Sequence, residues 1–169
     1  MSRLNGKDLE AIFDGCFFTS HRTVLVGGAD EPLYAASVRP EVEPHRVVYR
    51  ADYASSALHE VAHWCIAGPR RRQLSDYGYW YAPDGRTPEQ QAQFERVEAK
   101  PQAMESIFAE AAGVPFVLSA DNLAGDPTPS QAFARAVSEQ RERYLEAGLP
   151  RRAYTFLRAV RKGSAFPAS

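Results

Sequence analysis

The 169-residue chain carries 20 basic and 21 acidic side chains, 44% hydrophobic residues and a net charge of −1. That composition suits one globular domain with a substantial core, and it argues against a generic nucleic-acid binder, which needs a basic excess. With no apolar run near 18 residues and no signal or lipidation pattern, the expectation is a cytoplasmic protein that leaves membranes alone and is a monomer.

The apolar spacing of Leu4, Leu9, Ile12, Phe13 and Phe17 predicts a short amphipathic helix over 6–17. Three apolar runs follow, 23–26, 33–37 and 46–49, parted by Gly27-Gly28, Glu31-Pro32 and the proline-bounded stretch 40–44. They predict a small sheet of short strands, with His21 and His45 as structural or surface histidines at its edges. A second helix is expected over 55–67, capped by Ser55 or Ser56 and stopped by Gly68-Pro69. After it come Arg70-Arg71-Arg72, whose default reading is a solvated face, and four aromatic rings within residues 77–81 (Tyr77, Tyr79, Trp80, Tyr81), closed by Pro83-Asp84-Gly85.

Thr87-Pro88-Glu89-Gln90 reads as a capping box with proline at the first helical position. In the helix it opens, Phe94, Val97, Pro101, Met104 and Phe108 form an apolar stripe, flanked by Glu98 and Glu105, with Glu95 and Gln102 turned further towards solvent. Pro101 predicts a kink beside Glu98 or a restart of the helix, and Gly113 ends it. An apolar run over 114–118, a turn-rich loop over 119–129 with Asp121 and Asp126 as turn formers, and helices over 130–147 and 152–162 complete the chain. The fold class expected is α+β: one catalytic domain over 1–162, a helical core with a small N-terminal sheet in a zincin-like arrangement, and a short disordered tail over 163–169.

The chemistry concentrates in His59-Glu60-Val61-Ala62-His63, an HExxH pattern inside an apolar stretch. Residues four apart share a helix face, about 5–6 Å between Cβ atoms, so two imidazoles can converge on one ion. Two unpaired imidazoles in a core would be costly, and a metal removes that cost. Cys65 follows His63 by two positions and lies off the ligand face, so it and Cys16 read as buried thiols. A third ligand is needed, and the next helix offers Glu98 first, Glu105 one helical repeat later, and Glu95 third. Two histidines and one carboxylate with open positions suit non-haem Fe(II) and dioxygen, and equally catalytic zinc. Glu60 is then a catalytic group: general base in a zinc hydrolase, holder of a water or a substrate amine in an oxygenase.

The run from His59 to Gly68, then Gly78-Tyr79-Trp80-Tyr81 with Pro83-Asp84-Gly85-Arg86, then Phe94-Glu95, Val97-Glu98 and Lys100-Pro101-Gln102-Ala103 resembles the bacterial elongation factor P hydroxylase family. Ala111-Ala112-Gly113, Pro115-Phe116 and Asp121-Asn122-Leu123 extend the likeness. The resemblance implies a metal-dependent monooxygenase that hydroxylates the lysine of elongation factor P after β-lysylation, with a 2-His-1-Glu site on His59, His63 and Glu98. It further implies Fe(II), with zinc as the alternative, and dioxygen as co-substrate. A long cationic arm of that kind calls for aromatic walls and carboxylates, and Tyr79, Trp80, Tyr81, Asp84 and Glu105 are the candidates, with Arg70, Arg71 and Arg72 docking an acidic partner surface. The competing reading is a zincin-type metallopeptidase or other zinc hydrolase. Both histidines lie on a helix, unlike the His-x-Asp/Glu pair of a double-stranded β-helix, so a 2-oxoglutarate co-reductant does not follow by analogy.

Overall fold

The computed structural model describes residues 3–79, 87–119 and 130–165. Its elements run α1 (Gly6–His21), β1 (Thr23–Ala29), β2 (Leu33–Ala35), β3 (His45–Arg50), α2 (Ala54–Ile66), α3 (Pro88–Ala112), α4 (Gln131–Ala147) and α5 (Arg151–Ala165), with two short 3-10 turns at Arg71–Gln73 and Ser75–Gly78. The expected α+β class with a small N-terminal sheet is the class observed. No described helix is long and apolar enough to cross a membrane.

Helix α1 starts at an Asn5–Asp8 capping box and runs one turn beyond the predicted 6–17. That extra turn is held from outside: the His21 and Phe17 rings pack against Trp64, at 5.4 and 4.7 Å between centroids. The sheet has the order β1-β3-β2, with β1 parallel and β2 antiparallel to the central β3. Gly27-Gly28 is not the turn expected there, because β1 continues through it as a register shift between Val26 and Ala29. Both glycines are needed: a Cβ on Gly27 would come within 2.6 Å of the Ala51 carbonyl, and Gly28 has φ +101°.

Helix α2 sits between the sheet and α3, with Ala57, Leu58, Val61, Ala62, Trp64 and Cys65 buried. Neither Ser55 nor Ser56 is its N-cap; that position is Tyr53, without a side-chain bond. The Ser56 hydroxyl instead accepts from the Arg50 N–H at 2.9 Å, joining β3 to the helix start. At the far end the orphan carbonyls of the last turn meet two arginines. Arg152 on α5 donates to the Trp64 and Ala67 carbonyls at 2.6 and 2.5 Å, and Arg72 donates to Ala67 at 2.9 Å.

Helix α3 opens on the predicted Thr87–Gln90 capping box and ends at Gly113 in the left-handed conformation. It runs through Pro101 as one helix and does not restart there. Residues 101–109 are buried without exception, so packing holds the helix where propensity alone would break it. Helix α4 takes Ser130 as N-cap, and α5 carries the chain past 162, with Ser164 buried. Residues 163–165, expected in the tail, belong to α5, and the rest of the expected tail, 166–169, lies outside the described residues.

Candidate metal centre

Three side chains from two helices converge beside one cavity. The His59 and His63 Nε2 atoms face each other at 3.2 Å. Glu98 on α3 sets one carboxylate oxygen 2.9 Å from His63 Nε2 and the other 3.6 Å from His59 Nε2. One ligand atom from each of the three residues lies within 4.8 Å of the others, a group that could hold a metal ion. These are the three side chains that the spacing on α2 and the place beside the α3 stripe nominated as ligands. The donor chemistry fits a cation on its own terms: two imidazole lone pairs and a carboxylate aimed at one space repel one another unless a proton or a metal lies between them.

Glu105, the second candidate for third ligand, stands elsewhere. Its carboxylate lies 2.7 Å from His59 Nδ1, on the side of the ring away from His63. Glu98 and Glu105 are 4% and 7% exposed, so few waters compete for either carboxylate. Burial pulls His59 down, but the Glu105 hydrogen bond and the charges of Glu98, Glu105 and Glu60 overcome it and lift the imidazole to about 10. Burial lifts Glu98, and the His63 and His59 imidazoles with Gln102 outweigh it, leaving the carboxyl at about 2. Glu60 is raised, by burial first and by Glu98 and Glu105, against the pull of the two histidines. Glu95 takes no part: its carboxylate accepts from Ser130 at the start of α4, at 3.0 Å.

Gln102 is the site residue the sequence misplaced. It was expected to face solvent and is 2% exposed, with its amide donating to Glu98 at 3.3 Å. A signal was present, since Glu98, Gln102 and Glu105 fall at i, i+4 and i+7 on one helix face.

The cavity holds about 680 Å³ and is lined by His59, Glu60, Glu98, Gln102 and Glu105, together with Arg50, Tyr53 and Phe94. Segment 114–119 closes one wall. Tyr79 and the three arginines are not among the described lining residues. Arg71 donates to the Tyr77 carbonyl at 3.0 Å and lies 4.1 Å from the Tyr79 ring centroid, and Arg72 is tied to α2. Arg70 and Arg71 are exposed and Arg72 is half-buried, and the side chains of Arg71 and Arg72 fasten the local turn, because each 3-10 step aims its side chain differently. Tyr77 is buried and stacked on Tyr34 at 4.3 Å, in the core rather than the cavity. Trp80, Tyr81, Asp84, Asp121 and Asp126 lie outside the described residues.

The sequence model of the elongation factor P hydroxylase family matches residues 12–166. The chain is also similar to the elongation factor P lysine hydroxylase of Haemophilus influenzae, with 50% identity over 154 residues, covering 91% of this chain and 86% of that protein. The matched span takes in α2, α3 and every residue of the His-His-Glu group. The chain belongs to the elongation factor P hydroxylase family.

Proposed function

We propose that this protein is a cytoplasmic, metal-dependent monooxygenase that hydroxylates the lysine side chain of elongation factor P after a β-lysyl group has been attached. The observation that carries the reading is the convergence of His59, His63 and Glu98, two of which, His59 and Glu98, line the cavity, in a member of this family. These three residues would hold one divalent metal, iron(II) in this reading. When bound, iron supplies the redox chemistry with dioxygen, the co-substrate, that opening a C–H bond requires.

The remaining residues have assignable work. As a metal ligand through Nε2, His59 would carry its proton on Nδ1 and donate it to Glu105, which would fix the tautomer and the ring plane. Glu60 points about 100° round the helix from His59, too far to share the ion with it. Its raised carboxyl suits it to hold a proton or orient a substrate amine at the cavity. Glu60, Glu98 and Glu105 make the interior acidic, which complements a cationic lysyl arm, while Phe94 and Tyr53 offer apolar surface to its methylene stem.

A zinc hydrolase on a zincin-like frame is the second reading, favoured by one observation: Glu60 lies beside the ligand pair where a general base for bound water belongs. Metal analysis of protein purified without added metal, run beside intact-mass measurement of elongation factor P and a peptide-hydrolysis assay, separates the two. The hydroxylase reading expects iron and a mass gain of one oxygen atom without cleavage. Zinc with cleavage, and no mass gain, overturns it.

A further inference from the structure

Gln102 makes more contacts than a helix-surface amide needs. Its Oε1 accepts from the Ser119 N–H at 3.0 Å, and its Nε2 donates to the Ser119 carbonyl at 2.8 Å and to Glu98 at 3.3 Å. The side chain pairs with Ser119 as one strand residue pairs with another. That pairing fixes the amide orientation without ambiguity, since only the oxygen can receive the Ser119 N–H. The second Nε2 proton is then left for Glu98 alone. Ser119 lies in the described stretch 114–119, which has no helix or strand of its own and from which Val114, Pro115, Val117 and Ser119 line the cavity.

We infer that Gln102 is a positioning residue that locks the Glu98 carboxylate to the cavity wall, so that the ligand set and the wall over 114–119 hold or loosen together. The inference rests on the metal reading of His59, His63 and Glu98. Two features support it over simple packing. The amide is buried and every hydrogen-bonding atom it has is used, where a core position filled for volume alone would carry an apolar side chain. The contacts also bridge two separate parts of the chain, 17 residues apart, through one planar group.

Gln102→Leu keeps the volume and removes all three bonds, and Ser119→Pro removes only the Ser119 N–H from outside the helix. Cobalt(II) serves as the metal probe, its visible absorption reporting both affinity and ligand geometry, and amide hydrogen exchange reports the wall. Gln102→Leu is expected to weaken cobalt(II) about 10–100-fold, the range for lost outer partners of a ligand. It should also shift the absorption bands and speed exchange over 114–119. Ser119→Pro should move the same bands in the same direction with a smaller loss, and since it leaves α3 untouched it keeps the test open if Gln102→Leu folds poorly. Parent-like affinity and bands in a folded Gln102→Leu, or in Ser119→Pro when only that variant folds, overturn the role of Gln102 and leave the metal reading standing. Failure of the parent chain to bind cobalt(II) overturns the metal reading and this inference with it.

Discussion

Two neighbouring regions of helix α2, its C-terminal carbonyls and its histidine face, solve the same problem in opposite ways. At the C-terminal end buried carbonyls meet arginines, each donor matched to an acceptor, and the Arg152 guanidinium lies 4.6 Å from the Trp64 ring centroid. The Trp64 and Ala67 carbonyls there are satisfied by the protein itself. On the histidine face, His59 and the carboxylates of Glu60, Glu98 and Glu105 line one cavity, and Glu98 faces both the His59 and His63 rings. Like groups are gathered there, and the excess of electron pairs calls for a cation. The lesson is that burial of polar groups marks structure where the bonding is complete and function where a charge is missing.

Breaking the histidine face should have the largest effect and should leave the fold alone. His63→Ala and Glu98→Ala are each expected to lose bound metal and activity while the far-ultraviolet circular dichroism stays at the parent level. Metal analysis checks this, and full occupancy in Glu98→Ala with loss in Glu105→Ala would make Glu105 the third ligand. Glu60→Gln should keep most of the metal and lose turnover by about 100-fold or more, in the range for a positioned acid or base. Unchanged turnover removes Glu60 from the mechanism.

Breaking the C-terminal region should do the reverse. Arg152→Ala strips the Trp64 carbonyl of its charged donor and leaves the Ala67 carbonyl with Arg72 alone, and a loss of about 2–4 kcal/mol in urea unfolding is expected, with metal content per folded molecule unchanged. A metal loss matching that of His63→Ala would mean the two regions are not separable.

The contrast also has a pH signature. In the metal-free chain His59 is raised to about 10, above its unfolded value near 6.5. Its charged form therefore adds stability in full below pH about 6.5, lost as pH rises through about 10. Metal binding at neutral pH must expel that proton, so calorimetry in buffers of different ionisation heat should show proton release on loading. His21 and His45 shift the other way, lowered by burial first and then by Arg72, with Arg152 adding to the effect on His21. Their stability is present above pH about 6.5 and fades as pH falls through their lowered folded values. His45 Nδ1 must stay unprotonated to accept the Ser37 N–H at 2.8 Å. This is the smallest effect expected, a modest drop in urea midpoint between pH 7 and 5, and Ser37→Pro, which removes that N–H, should reduce it.

Much of this was legible in the sequence where one helix carries the whole pattern. His59 and His63 share a face by spacing alone, and Glu98 emerged from its place beside the α3 stripe. Gln102 did not, because its burial depends on segment 114–119 folding back over α3, a contact between distant parts of the chain that helical periodicity cannot register. The same holds for Arg71 and Arg72, read as a solvated run until the 3-10 turns sent their guanidiniums to different carbonyls. Pro101 erred in the other direction: local chemistry calls for a break, and the buried run over 101–109 overrides it. Gly27-Gly28 looks like a turn by composition and is a bulge because Tyr49 and Ala51 press against that point of β1.

The central claim is that His59, His63 and Glu98 form the reactive centre of an elongation factor P hydroxylase. Its most direct test is the mass of β-lysylated elongation factor P after incubation with the iron-loaded protein, a reductant and isotopically heavy dioxygen. The account predicts a gain of one heavy oxygen atom on the modified lysine with the parent chain and none with His63→Ala. An undiminished gain with His63→Ala, or oxygen drawn from water instead of dioxygen, would contradict it.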